Sequence, residues 1–345
     1  MTNFLPKVFI AALLSTVVGA HSYAASPAGK SCPVFSPVMS LSLGDIYADA
    51  QGSVPNEAVV HKNRDLTAGV DEFMRYLEKA LDNPDARPGE SSAACAYGNF
   101  ATWAKAGALT TEPKPFSREG AAKRSEYLIG INILALKFKA AGFTMDPNML
   151  AWLRSLNRAN TLSFERGTNR GNLRIWSAAA AALYALIERD VDALNFQDRV
   201  WREAMEAIHD DGTIDVEMAR SHRALIYHMF SLSATLVLRS AREALGYWGT
   251  SQDNGRLRRL ADNIGRTLCD QHEMERAAKA VQEIPGDWAY RVPIGYGADL
   301  LNSDWSRCGR PKADLSDPTS GGDARRSAQM LRWFAQHAGT QRSTR

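Results

Sequence analysis

Glu217-Met218-Ala219-Arg220-Ser221-His222-Arg223-Ala224-Leu225-Ile226-Tyr227-His228 is the stretch of this chain best equipped for chemistry. Arg220 and Tyr227 stand seven positions apart. On a helix of about 3.6 residues per turn that is two turns, so the spacing predicts both side chains on one helical face. His222 and His228 flank that face. The row offers a fixed cation, a phenol and an imidazole. A guanidinium holds an anionic group, and a phenol moves a proton. Arg, Tyr and His at helical spacing also form ordinary solvated or half-buried faces, so the elements around the stretch must decide its role.

Those elements are helical. Val70, Phe73, Met74 and Leu77 recur at three- and four-residue steps, predicting a helix from Asp65 to just before Asn83-Pro84. Further helices are expected over Ala93–Leu109, Glu119–Ala141, Asp146–Leu156, Leu173–Arg189, Asp192–Ile208, Ser221–Leu245 and Arg256–Arg276. Thr161 to Asn172 is polar and contains glycine, and is expected as a loop. Ala178 to Ala182 is a run of small residues that lets a neighbouring helix approach closely. Strand signals are nearly absent. Helices joined by short loops suit antiparallel helix pairs, and pairs set around a ring leave a groove at one end. Trp103, Trp176, Trp288, Tyr290, Tyr296 and Trp305 offer flat, partly apolar faces for sugar rings, although core packing is the commoner fate of each.

With 345 residues, 45% hydrophobic, the chain can bury a large core. A net charge of +3, with no basic tract, excludes a nucleic-acid protein. Lys7, the apolar run Val8–Ala20 and the small-x-small site Ser22-Tyr23-Ala24 predict a signal peptide cleaved near Ala24. Its apolar run is short for a membrane span. The mature protein is therefore expected in the periplasm or outside the cell, free of the membrane. An even set of four cysteines, Cys32, Cys95, Cys269 and Cys308, then favours disulfides. Three pairings are possible, and Cys32–Cys95 with Cys269–Cys308 is preferred because it ties each end of the chain locally. No His lies at ligand spacing from these cysteines, so no metal and no cofactor are expected.

Three segments together resemble the mannuronate-specific alginate lyases, secreted polysaccharide lyases with an (α/α) toroid fold. One is Ala94-Cys95-Ala96 running into Trp103-Ala104-Lys105-Ala106-Gly107-Ala108-Leu109. The second is Asp211-Gly212 through Glu217 and Arg220 to Arg223-Ala224-Leu225-Ile226-Tyr227-His228. The third is Asn172 with Trp176, a reduced form of the family's Asn-Asn-His-Ser-Tyr-Trp motif. The resemblance implies an all-α fold, an incomplete barrel of antiparallel helix pairs. It divides the chain into a signal peptide (1–24), an N-terminal arm (25–64), a toroid domain (65–310) and a polar C-terminal tail (311–345).

The resemblance also implies β-elimination on a uronate-containing anionic polysaccharide, by a monomer. The C5 proton of the uronate is weakly acidic, and its neighbouring carboxylate must be neutralised before the proton can leave. Carried over by position, Tyr227 is the acid/base, and Arg220 and Asn172 hold the carboxylate. Arg174, His222, His228, Trp103, Trp176 and Arg223 are the expected substrate-binding residues. This chain departs from the pattern at two places. Leu173 stands where the family has a catalytic His, and a cleft Lys of the family falls near Ile46. Arg170, Arg174, His222 and His228 are the candidate replacements. The lost His also motivates an alternative, a non-catalytic polysaccharide-binding protein of an exopolysaccharide export system on the same fold. A glycoside hydrolase using two of Asp210, Asp211, Asp215 and Glu217 is disfavoured, because acidic residues at a turn opening a helix also serve its N-terminus.

Overall fold

The computed structural model describes residues 32–49, 52–166, 171–309 and 314–337; the expected signal peptide lies outside these described residues. The helices in chain order are α1 (Glu57–Leu81), α2 (Ser91–Ala106), α3 (Arg118–Ala140), α4 (Pro147–Arg166), α5 (Asn172–Glu188) and α6 (Val191–Glu206). After them come α7 (Asp215–Met218), α8 (Ala224–Leu245), α9 (Ser251–Cys269), α10 (His272–Ala278), α11 (Arg291–Tyr296), α12 (Ser303–Cys308) and α13 (Ala324–His337). Among the described residues, strand is confined to Ser316–Asp317 paired with Gly322–Asp323 and an isolated Tyr47–Pro55 bridge. The fold is all-α, as expected.

Helix α5 lies at the centre, against α3, α4, α6 and α8. Its Ala178–Ala182 run is wholly buried. Methyl-sized side chains let several helices close in on one. Helix α8 is apolar and long enough to cross a membrane by composition alone, yet 83% of its apolar window is buried inside the body. It serves as a core helix.

The helix expected over Arg256–Arg276 is split into α9 and α10, and four further differences from the sequence expectation have a clear physical origin. Helix α1 starts eight residues earlier than Asp65, at Glu57, where the Asn56 side chain accepts from the Val59 N–H. Helix α4 runs on to Arg166, through part of the expected loop. Two of its polar residues, Asn157 and Asn160, face inward and are satisfied there. Asn157 exchanges hydrogen bonds with Asn132 on α3, and Asn160 bonds Ser125 of α3 and Ser177 of α5. Paired in this way, buried amides cost little, and the helix continues past its expected end at Leu156. The third difference is a break before α8. Ser221 has φ +56°, and Ser221–Arg223 is a single 3₁₀ turn. The fourth is the segment expected as a polar tail with one weak helix near Gln329–Gln336. It carries α13, which buries Ala324, Ala328 and Leu331 against α8 and α11. Lys137 holds this end down by bonding Asp82 (2.6 Å) and the Gly321 carbonyl (2.7 Å).

The N-terminal arm is stitched across α1, α2 and α3. Cys32 is bonded to Cys95, and Cys269 to Cys308, the preferred pairing. Two disulfides suit a protein that folds in an oxidising compartment. The indole of Trp103 donates to the Phe35 carbonyl and lies stacked 3.7 Å from Phe73. Ser117 bonds both backbone groups of Leu43, and Asn63 both of Gly44. The arm passes so close to α3 that a Cβ on Gly120 would stand 1.9 Å from the Leu41 carbonyl oxygen, which makes glycine obligatory there. These ties carry Tyr47 to the mouth of a cleft.

Candidate functional site

The cleft has a volume of about 420 Å³, and its walls come from the arm, α1, α3, α5 and α8. Asn172, the first residue of α5, is 5% exposed on its floor. Its backbone N–H and its side-chain amide both donate to one oxygen of Glu217, at 2.9 and 3.3 Å. Ser231 of α8 donates to the same oxygen at 2.8 Å. Glu217 is fully buried, and its second oxygen has no hydrogen-bond partner among the described residues. Burial raises its pKa, against the opposing pull of Ser231, Asn172 and Arg220. Its position at the start of α5 also satisfies the helix N-terminus.

Arg220 follows α7 on the turn before α8. Its guanidinium lies 4.4 Å from the ring centroid of Tyr227. The backbone of Gly52 passes along its other side, where a Cβ would fall 2.2 Å from Nη1. The expected pairing of Arg220 with Tyr227 therefore exists, but its geometry is not two turns of one helix. The positive φ of Ser221 folds Arg220 back over the first turn of α8.

Tyr227 is 7% exposed and lines the cleft. Its phenol shares a short hydrogen bond with the phenol of Tyr47. Arg223 donates to the Tyr47 oxygen at 3.1 Å, and an ion pair with Glu283, also 3.1 Å, anchors it. Burial raises the Tyr227 pKa, with Tyr47 adding to the shift and Arg220 and Arg223 opposing it. With its pKa raised, the phenol keeps its proton. A substrate that displaces Tyr47 while leaving the two guanidiniums in place removes one of the causes of the rise.

Of the expected binding residues, Trp176 lines the cleft. Arg223 reaches it through Tyr47. Three others are corrected. Trp103 is fully buried in the core, its indole N–H used by Phe35. Arg174 is 3% exposed and turns away to Glu203 (2.7 Å) and the Phe164 carbonyl. His228 is fully buried, with Nε2 accepting from the Ile214 N–H (3.0 Å) and Nδ1 donating to the Ala224 carbonyl (2.8 Å). Burial lowers its pKa to about 4, so it is a neutral structural brace. His222 is half-buried and is not among the cleft-lining residues; its carbonyl accepts from the Glu283 N–H. Arg170 lies outside the described residues.

Leu173 and Ile46 line the cleft as aliphatic side chains at the two positions of departure. The residues that sequence reasoning missed are Tyr47, Arg64, Arg118, Glu119 and Lys123, all on the cleft wall. None sits in a recognisable motif. The amphipathic pattern of α1 and the polar opening of α3 were the available signals. Glu119 is pushed up to about 7, first by burial and then by Asp45. Lys123 is paired with Glu126 at 2.8 Å. Among the described residues no group of three or more His, Cys, Asp or Glu side chains is placed to hold a metal ion.

The family model described as alginate lyase matches residues 126–274, which hold Asn172, Glu217, Arg220 and Tyr227. Over that segment the chain is similar to the alginate lyase family. Two relatives are a polysaccharide lyase of Stenotrophomonas maltophilia (strain K279a), 24% identical over 63% of this chain and 67% of that protein, and an alginate lyase of Pseudomonas syringae pv. tomato, 28% identical. The latter alignment covers 61% of this chain and 57% of the relative, so the chain spans little more than half the length of that lyase. Alginate lyase A1-III from Sphingomonas species A1 superimposes with a TM-score of 0.66 at 18% identity, covering 89% of this chain and 88% of that one. The same lyase complexed with a tetrasaccharide gives a TM-score of 0.71 at 17% identity, over 90% and 88%. These likenesses to solved structures show a shared fold.

Proposed function

We propose that this protein is a polysaccharide lyase that cleaves a uronate-containing anionic polysaccharide by β-elimination outside the cytoplasm. The observation that carries this is the Tyr227 phenol opening on a cleft while the Arg220 guanidinium lies 4.4 Å from its ring. The match of residues 126–274 to the alginate lyase family model and the two disulfides support the assignment.

The chemistry follows from the parts. A uronate entering the cleft brings a carboxylate that Arg220 and Asn172 can bind. One amide hydrogen of Asn172 goes to Glu217, which leaves the second for the substrate. Fixing Asn172 by a buried carboxylate sets the direction of that donor before substrate arrives. With the carboxylate neutralised, negative charge spreading onto it as the C5 proton leaves is stabilised, and the barrier falls. Tyr227, its own proton lost to solvent once substrate displaces Tyr47, takes the C5 proton and passes it to the leaving O4. The bond between C4 and O4 breaks, a double bond forms between C4 and C5, and the leaving oxygen gains a proton. Arg64 and Arg118 line the same cleft and counter the charge of a polyanion.

The test is the ultraviolet absorbance of the conjugated double bond. The mature chain is given polymannuronate, polyguluronate, glucuronan and mixed bacterial exopolysaccharides. A rise on at least one polymer, lost in Tyr227→Phe with binding retained, is expected. Binding without any rise would overturn the lyase assignment in favour of a carrier or assembly role.

A further inference from the structure

The cleft does not end at Tyr227. A second hollow of about 350 Å³ shares Trp176, Phe230, Lys123 and Glu126 with the first and extends past them to Trp288 and Pro318. Its character differs from that of the first. Among the described residues, the lining around Tyr227 carries four cations, Arg64, Arg118, Lys123 and Arg220, against three carboxylates, Asp71, Glu119 and Glu126. The described lining of the second hollow has one cation, the shared Lys123, whose charge is taken by Glu126 at 2.8 Å, so it lacks the three arginines of the first. A further carboxylate, Asp317, lines it and stays put by accepting from the Thr319 N–H at 2.8 Å and from the Thr319 hydroxyl.

The rest of the wall is largely apolar and aromatic, with Tyr127, Ser233 and Thr319 also in its lining. Tyr227 and Phe230 have ring centroids 5.7 Å apart, and Phe230 stacks on Trp288 at 5.2 Å and 27°. Trp288 is 42% exposed. An indole left in solvent beside a cleft, rather than sunk in the core as Trp103 is, presents a face suited to the C–H side of a pyranose.

We infer that the second hollow is a subsite for an uncharged sugar, and that the substrate alternates uronate with neutral residues such as N-acetylated hexosamine. This rests on the lyase assignment above. A second uronate placed there would leave water for an aromatic wall, meet Asp317 and Glu126, and find no uncommitted cation among the lining residues. A neutral ring meets none of these costs, and an acetamido methyl group adds apolar contact. Continuity with the first hollow makes the occupant the next unit of the same polymer.

Two measurements test this. The first compares kcat/KM, read as unsaturated ends, on polymannuronate and glucuronan against hyaluronan and chondroitin, which alternate uronate with N-acetylhexosamine. A preference of about tenfold or more for the alternating polymers is expected, the scale of one favourable or unfavourable pocket contact. In Trp288→Ala that preference should shrink, through KM more than kcat. Equal or better use of the homopolymers by the wild-type chain, or an equal loss on all polymers in Trp288→Ala, would overturn the subsite. The second measurement is fluorescence-monitored binding of a hyaluronan tetrasaccharide and a tetramannuronate to Tyr227→Phe. Tighter binding of the hyaluronan fragment, weakened by Trp288→Ala in the same background, supports the subsite even if no polymer yields unsaturated ends, an outcome that would sink the lyase assignment alone. Tighter binding of the tetramannuronate sinks the subsite.

Discussion

Asn172 and Glu217 are joined twice, the backbone N–H and the side-chain amide of Asn172 both meeting one carboxylate oxygen at 2.9 and 3.3 Å. They are 45 residues apart, and the contact locks the first turn of α5 to the short helix α7 that precedes Arg220. It thereby fixes both proposed carboxylate-binding groups relative to each other.

Glu217→Ala should therefore cost both stability and rate. Asn172 and Ser231 lose their acceptor in a dry place, a penalty of about 1–3 kcal/mol for each unmet group. Loss of orientation at Asn172 should lower kcat/KM about ten- to a hundredfold. Glu217→Gln keeps an acceptor oxygen and should retain most of the stability. Denaturant unfolding with steady-state kinetics on the same two variants checks this. Full activity in Glu217→Ala would mean that Asn172 needs no support.

Gly52→Ala probes Arg220 from the arm. Gly52 has φ +67°, and a Cβ would reach within 2.2 Å of the Arg220 Nη1. The backbone strain costs about 1 kcal/mol. The guanidinium, being the end of a flexible side chain, must swing aside. The expected result is a small fall in Tm and a rise in KM for the anionic polymer, with the secondary structure seen by circular dichroism unchanged. An unchanged KM would show that Arg220 does not need that position.

Glu78 makes stability depend on pH. It is 5% exposed on α1, one oxygen has no hydrogen-bond partner among the described residues, and burial pushes its pKa up to about 7 although Lys137 pulls it down. A carboxyl whose folded pKa is raised favours the folded state in its protonated form. That contribution is whole below the ordinary pKa of 4.5 and is lost as pH rises through about 7. Glu78→Gln should accordingly match the wild type near pH 4 and exceed it at pH 8 by about 2 kcal/mol. Denaturant midpoints at the two pH values decide. A variant weaker than the wild type at pH 8 would mean that the ionised carboxylate is stabilising where it sits.

The helical character of the chain was legible because Val70, Phe73, Met74 and Leu77 keep a helical period that only core packing explains. The pairing of Arg220 with Tyr227 was legible as well, for a reason that does not hold, since the two are brought together by the turn at Ser221. What could not be seen was where polar side chains end up. Asn157 and Asn160 lie beyond the expected end of a helix at Leu156 and are core residues, because their partners Asn132, Ser125 and Ser177 lie on other helices. His228 and Arg174 read as site residues and are buried braces, because their partners come from Ile214, Ala224, Glu203 and Phe164. Tyr47 was invisible, since only the stitching of the arm at Leu43 and Gly44 carries it to Tyr227.

Leu173 offers the sharpest test of how this chain differs from its relatives. Its side chain lines the cleft next to Asn172, where the resemblance places a catalytic imidazole. An imidazole there would add a donor for the uronate carboxylate and a cation that lowers the pKa of Tyr227, which burial and Tyr47 now hold up. Leu173→His should therefore increase the rate on polymannuronate and move the pH at which activity rises to a lower value. The variant replaces a half-buried aliphatic side chain with one of similar size, so a loss of no more than about 1.5 kcal/mol in stability is expected. Measuring initial rates across pH on polymannuronate and on the polymer the wild type prefers separates the outcomes. A gain confined to polymannuronate makes Leu173 a determinant of which uronate is cleaved. A gain on both makes it a brake on catalysis. No gain on either means that the cleft already supplies the missing function, with Glu119 as the first residue to remove, because its carboxyl is held near neutral pH on the same wall.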